Sequence, residues 1–515
     1  MKINLFPILF LLCLNNLSAQ LTTQWEKSFG GSNAEFASCI SQNFDGSYII
    51  VGTTDSNDGQ VTGNHGSSDI WVIKCDSIGN LQWQKCLGGS NYETSWSVTQ
   101  LSDNNFLIAG WSSSSDGNIS STNAGSSDSW LVKLDGLGNI IWENSFGGTA
   151  MDEAWSVIET NDHSIVFTGR TFSNDSIITG NHGASDLWVC KLDSTGTIQW
   201  QKCYGGSSVE RGNRIIQTNE GGFIISGLTA SNDSDVSGFH GFEDYWILKI
   251  DNTGQIEWQK CIGGSLNERA YSILQTSDHG YIVSGASSSN DGDASGQHGN
   301  GDAWVIKLDS IGNLKWQKML GGSKTDWFYD LDLSIDGGFI ATGYTRSNDG
   351  DVNGNHSVDS LDLWLVKLDS LGNLEWQECL GGVQDEGGVS VKETFDLGYV
   401  VAGVAESNNG DVSNLNGSSD FWVIKFNPIS GIEKSNELNL FSIYPNPVKE
   451  KIILKANNSL IGKSFQIQDS FGKILFRSKI NSETNNISIT DYPDGFYFLS
   501  IEGQVTRKMT ILKEY

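Results

Sequence analysis

The stretch from Glu268 to Leu320 decides the fold: ERAYSILQT (268–276), GYIVSGAS (280–287), DAWVIKLD (302–309) and NLKWQKML (313–320). Each run has the length and alternation of an ordinary β-strand, and none shows a helical period. They are separated by SDHG, by the long SSNDGDASGQHGNG and by SIG, whose Gly, Asn and Asp tolerate the backbone angles that tight turns demand. No proline lies between residues 8 and 427. Four antiparallel strands joined in this way make one blade of a β-propeller.

Working outward, the unit recurs. A Trp followed by Gly-Gly stands at Trp25, Trp83, Trp142, Trp200, Trp258, Trp316 and Trp376, with spacings of 58, 59, 58, 58, 58 and 60 residues. An Asp-x-Trp marker alternates with it at Asp69/Trp71, Asp128/Trp130, Asp186/Trp188, Asp244/Trp246, Asp302/Trp304, Asp362/Trp364 and Asp420/Trp422. Such a period marks a repeat architecture. The repeat region begins in a Trp strand (22–29) and ends in an Asp-x-Trp strand (420–426). The first strand therefore completes the last blade, and the expectation is an all-β chain: a seven-bladed propeller over 21–427, closed by its N-terminal strand. Chain order puts the long SNDGDV-type loops and the Gly-Gly corners on one face, with the short turns opposite.

Outside the repeats, residues 1–20 have a charged start, an apolar run from Leu5 to Leu14 and Ala19-Gln20, which reads as a secretory signal peptide. Residues 428–437 read as a linker and 438–515 as a further small domain. No later apolar run is long enough to span a membrane as a helix. The net charge of −29 is uneven, because 438–515 carry ten Lys/Arg against seven Asp/Glu and leave the rest at −32. That acidity repels nucleic acid and anionic lipid, and suits divalent cations or basic partners. Cys86, Cys203, Cys261 and Cys379 share one repeat position that Ser28, Ser145 and Met319 fill elsewhere, as core filler would.

Residues repeated in every unit read as scaffold, and residues that break the repeat as candidates for a site. The Asp-x-Trp aspartate is expected to bind amides at its turn, and both tryptophans to pack between blades. A carboxylate precedes each first strand (Glu35, Glu93, Asp152, Glu210, Glu268, Asp326, Glu386); capping of nearby amides is the favoured reading and a cation-attracting ring the alternative. In the long loops, Asp233/Asp235, Asp291/Asp293 and Asp349/Asp351 space their oxygens as calcium would need, although turn chemistry explains the pattern better and the full calcium-loop motif is absent. His65, His182, His240, His298 and His356 read as loop residues, having no second ligand at fixed spacing. The symmetry-breaking residues on or beside the first two strands are Trp96, Trp111, Trp155, Arg170, Arg211, Arg214, Arg269, Tyr271, Trp327, Tyr329, Tyr344 and Arg346. Aromatics and arginines lining a channel suit sugars or carboxylated ligands.

The terminal segment carries a specific resemblance. Tyr444-Pro445-Asn446-Pro447, then Asp469 to Gly472-Lys473, then Gly495 and Tyr497 within DGFYFL, with Arg507-Lys508-Met509, resemble the type A C-terminal sorting domain of the type IX secretion system. Read from its residues, the segment is a small antiparallel β-sandwich of about seven short strands. The resemblance implies an address: Sec export, handling by the type IX machinery, then release or attachment at the outer cell surface. The propeller units resemble repeats of secreted bacterial proteins, and come near the sialidase Asp-box and the quinoprotein docking motif without matching either. The expected function is a non-catalytic binding or adhesion module for a glycan or protein. The alternatives are a sialidase-type hydrolase, which would need a channel arginine cluster with an acid/base residue and a tyrosine nucleophile, and a structural surface-layer or matrix protein.

Overall fold

The computed structural model describes residues 21–120, 125–357, 359–428, 441–444, 450–456, 460–469, 474–493, 495–501 and 507–511. The expected signal peptide and most of the expected linker lie outside these residues. Seven four-stranded antiparallel sheets follow one another along the chain. Their first strands are Glu35–Gln42, Glu93–Gln100, Asp152–Glu159, Glu210–Gln217, Glu268–Gln275, Asp326–Leu333 and Glu386–Glu393, which define sheets 1 to 7. In sheets 1 to 6 the four strands are consecutive. Sheet 7 takes its fourth strand, Thr23–Phe29, from the start of the repeat region, pairing Trp25 with Lys425 and Phe29 with Phe421.

The sheets pack face to face through apolar clusters that each draw on two neighbours. Among the described residues there are seven such clusters for seven sheets, because Val400, Phe421 and Val423 of sheet 7 pack with Ile40, Ile50 and Trp71 of sheet 1. The first strands likewise contact one another in sequence, and that of sheet 7 contacts that of sheet 1. At each interface the Asp-x-Trp tryptophan is fully buried, and its indole N–H donates at 2.6–2.9 Å to a Gln or Glu of the sheet's outer strand, as Trp71 does to Gln84 and Trp422 to Glu26. Burial of so large a ring with its donor satisfied contributes several kcal/mol per site. The second tryptophan sits on the outer strand and meets the next sheet, as Trp25 meets Tyr48 and Trp376 meets Tyr399. Cys86, Cys203 and Cys379 are buried in the clusters and Cys261 packs against one, all as free thiols.

The C-terminal strands form a three-stranded and a four-stranded antiparallel sheet that share a core of Ile452, Leu454, Phe465, Ile467, Ile487 and Leu499. Tyr497 is buried there and donates its hydroxyl hydrogen to the Pro493 carbonyl at 2.8 Å. Tyr444 ends one strand, Asp469 ends another and Gly495 begins a third, whereas Pro445, Asn446, Pro447, Gly472 and Lys473 lie outside the described residues. Among the described residues no helix is long and apolar enough to cross a membrane.

Removal of residues 21–29 leaves the Asp420–Phe426 strand with an unpaired edge and strips Phe29 from the interface with sheet 1. The truncated chain is expected to melt at lower temperature and to aggregate with rising concentration in size-exclusion chromatography. An unchanged melting midpoint would show that this strand does not hold sheets 7 and 1 together.

Candidate functional site

Each first strand starts at a Gly-Gly corner whose amides must be satisfied in a tight, buried turn. The recurring carboxylate does this: Glu35, Glu93, Asp152, Glu210, Glu268, Asp326 and Glu386 accept the amide of the second glycine at 2.7–2.8 Å. In six sheets the same carboxylate also accepts a Thr or Ser hydroxyl from the end of the second strand, such as Thr54 for Glu35 and Ser287 for Glu268. In sheet 7 that position is Ala405, and the Ser407 amide serves instead at 2.7 Å. These acids are almost fully buried, which supports amide capping over a cation-attracting ring.

The loop aspartates are committed in the same way. Asp233, Asp291 and Asp349 accept the amides of Ser207, Ser265 and Ser323 at 2.7 Å, and Asp235, Asp293 and Asp351 those of Gly205, Gly263 and Gly321 at 3.3 Å. Among the described residues, no group of three or more His, Cys, Asp or Glu side chains could hold a metal ion. The spaced oxygens of these loops pair with amides of the adjoining corner, as the turn-chemistry reading expects. The histidines take a role that spacing alone did not suggest. Each donates its amide to the Asp-x-Trp carboxylate and sets its ring Nδ1 2.6–2.9 Å from it, and Asn416 donates its amide and side-chain N–H to Asp420.

At the centre the repeat breaks. Every first strand carries a β-bulge, between Ala37 and Cys39 in sheet 1 and at the corresponding residues of the other six. A bulge leaves one residue unpaired and re-aims its side chain. The seven residues so released are Ser38, Trp96, Trp155, Asn213, Tyr271, Tyr329 and Val389, and all seven line one cavity of about 430 Å³. Arg211, Arg214, Arg269 and Asp330 supply the charged part of its lining.

Trp96 and Trp155 stack with centroids 4.4 Å apart and planes 9° from parallel, and the Arg211 guanidinium lies 4.5 Å from the Trp155 ring. Trp155 is consequently covered by two neighbours, while Trp96 stays 38% exposed. Burial, reinforced by Arg170 and Arg269, lowers the pKa of Arg211. Further round, Tyr271 lies 5.0 Å from Tyr329, with Trp327 and Tyr344 stacked behind them at 5.6 Å. The three bulge positions without an aromatic ring are Ser38 of sheet 1, Asn213 of sheet 4 and Val389 of sheet 7.

Asp330 ties this centre together. Its buried carboxylate accepts from Arg214 of sheet 4 (3.2 Å), Ser272 of sheet 5 (3.0 Å), and Ser390 and Lys392 of sheet 7 (3.0 Å each). Burial alone would raise its pKa, but Lys392 and Arg214 outweigh that and hold it low.

Of the residues expected to form a site, Trp96, Trp155, Arg211, Arg214, Arg269, Tyr271 and Tyr329 line the cavity together. Trp327 and Tyr344 pack behind it. Trp111 and Arg346 are not part of the lining, and Arg170 is tied to Glu153 at 2.7 and 3.2 Å. Trp111 and Arg170 belong to second strands, where the pairing is regular and no bulge turns a side chain inward. Sequence reasoning missed Asn213 and Asp330. Asn213 stands in a column with five residue types, and Asp330 in one that is Ser in four repeats and Cys, Arg and Asp in the others; a charge in a mostly Ser column is the signal that could have found it.

A family model, the secretion system C-terminal sorting domain, matches residues 442–512. The chain carries this type IX sorting domain and is secreted by that route to the cell surface or extracellular space. A 146-residue stretch is 28% identical to β-agarase A of Zobellia galactanivorans, and the match spans about a quarter of each protein (26% of both). Among solved structures, PorZ, a surface component of the type IX secretion system of Porphyromonas gingivalis, is similar at 10% identity and TM-score 0.39, covering 96% of this chain and 61% of that one. The Neurospora crassa Pan2 WD40 domain gives 10% identity and TM-score 0.44, covering 79% and 96%. The extracellular domain of a putative hybrid two-component system from B. thetaiotaomicron gives 11% and 0.40, covering 93% and 56%.

Two outcomes are expected from these contacts. Asp330→Ala strands two cations in a buried centre and should destabilise the fold by about 3–5 kcal/mol in denaturant unfolding, against less than about 1 kcal/mol for an exposed ion pair. The second concerns pH. Burial raises Asp186 to about 6 despite His182, and the His182 pKa is also raised, its carboxylate neighbours overcoming burial. Groups with raised folded pKa values stabilise fully below their unfolded values, about 4 for Asp and 6.5 for His, and lose that contribution as pH climbs through the folded values. Asp278 runs the other way: its hydrogen bonds and Lys307 overcome burial and pull it to about 2, so its contribution is lost as pH falls from about 4 through 2. The melting midpoint should therefore peak at about pH 4 and decline through pH 6 toward pH 8, with the part of the decline above about pH 6.5 shallower in His182→Gln.

Proposed function

We propose that residues 21–427 form a closed seven-bladed propeller that acts outside the cell as a non-catalytic binding module, and that 438–515 serve as its type IX address. Closure is supported by the seventh apolar interface and by the pairing of Thr23–Phe29 with Asp420–Phe426. The binding reading rests on one observation: the seven bulged residues, which vary between repeats, all line one cavity with an exposed tryptophan face. The equivalent bulge positions meet because the sheets repeat; what suits them to a ligand is the aromatic and arginine side chains that they and their neighbours place there. An indole face with nearby polar donors suits the apolar face of a sugar ring. The partial likeness to an agarase fits a polysaccharide setting.

One observation favours a hydrolase of the sialidase type as a second reading: Arg211, Arg214, Arg269 and Tyr271 do share the cavity. Against it, Arg214 is engaged by Asp330 and Arg269 by Glu243, so two of the three are not free to clamp a substrate carboxylate. A chromogenic sialoside separates the readings, since turnover that disappears in Tyr271→Phe would establish the hydrolase.

Glycan-array binding by the full chain is the direct test. Trp96→Ala should weaken any bound glycan about 10-fold or more, as loss of an aromatic platform does, while Trp111→Ala should leave binding unchanged. Equal binding by both variants would remove the cavity from the interaction.

A further inference from the structure

We propose that the occupant of this cavity is an anionic oligosaccharide, with the carboxylate or sulfate of one sugar held by Arg211 while another sugar of the same chain rests on Trp96. The inference deepens the binding reading above and depends on it.

The argument begins with the charges around the centre. Arg170 is neutralised by Glu153, Arg269 by Glu243, and Arg214 and Lys392 share Asp330. Arg211 is the exception. Among the described residues it has no ion-pair partner, and its buried Nε has no hydrogen-bond partner. Glu153, its nearest source of negative charge, already receives Arg170 on both oxygens and the Trp155 indole N–H at 3.0 Å. The cavity lining itself thus carries three arginines against one aspartate in a chain whose net charge is −29. The local sign is opposite to that of the molecule.

An unpaired guanidinium in a half-buried site is costly unless something satisfies it. Its planar fork fits a carboxylate or sulfate through two parallel N–H bonds. Stacking on Trp155 fixes that plane before a ligand arrives, so little side-chain freedom is lost on binding. The same stack sets the length of the ligand. Trp96 and Arg211 lie on opposite faces of Trp155, so a ligand meeting both must be longer than one sugar ring. The requirement for an exposed indole face as well as an oxyanion favours an acidic glycan over an acidic peptide.

Isothermal titration of the full chain with three hexasaccharides tests this: a neutral galactan, a sulfated galactan and an oligogalacturonate. At least one of the two anionic oligomers should bind about 10-fold or more tighter than the neutral one, the usual advantage of a charge-assisted bidentate contact. Which of them does so separates sulfate from carboxylate. In Arg211→Met that oligomer should fall to the level of the neutral galactan measured on the same variant, and Arg211→Lys should fall between. On the unaltered protein, 0.5 M salt should weaken the anionic oligomer and spare the neutral one, a measurement that needs no variant to fold. Equal affinity for all three, a preference that survives Arg211→Met, or matching competition by a polyglutamate peptide would overturn the anionic assignment; Trp96-dependent binding of the neutral oligomer would leave the broader reading standing. No binding of any of the three would overturn both.

Discussion

The fold depends on a buried corner. Each Gly-Gly turn brings the outer strand of one sheet to the first strand of the next, and there its amides meet a carboxylate that has no water to compete for it. The corner also explains the glycines. A Cβ on Gly30 would overlap Glu35 Oε2 and Asp420 Oδ1, and one on Gly31 would overlap Ser56. Both carboxylates belong to different sheets, so the turn is where neighbouring sheets are locked in register. The apolar clusters between the sheets supply the hydrophobic free energy, but a non-directional force cannot set the angle between two sheets. Directional bonds to a buried acid can.

Most of the architecture was legible because the period is so regular. The Trp-Gly-Gly and Asp-x-Trp markers located all seven sheets, and the complementary ends of the repeat region pointed to the pairing of Thr23–Phe29 with Asp420–Phe426. The carboxylate preceding each first strand was readable as a cap for the same reason: a residue needed seven times serves the scaffold. The loops were less legible. A series such as Asp291-Gly292-Asp293 looks alike whether its oxygens face a cation or the amides of Ser265 and Gly263, because the difference lies in a partner some 26 to 30 residues away.

The centre was half legible. Departures from the repeat picked out Trp96, Trp155, Arg211 and Tyr271, but simple alternation cannot say which way a side chain points once a strand contains a bulge. The bulge displaces the pattern by one residue between Ala37 and Cys39 and at each equivalent point. Trp111 and Arg346 have the chemistry of site residues yet do not line the cavity, whereas Asn213, with nothing in its residue type to mark it, does.

The bulge has an evolutionary consequence. Because the released side chain makes no ladder pairing of its own, Ser, Trp, Asn, Tyr and Val can all stand there without disturbing the strands on either side. The molecule thus separates what must be invariant from what is free to drift. Seven positions can be rewritten independently, as characters in a short word, while the pages that hold them remain bound.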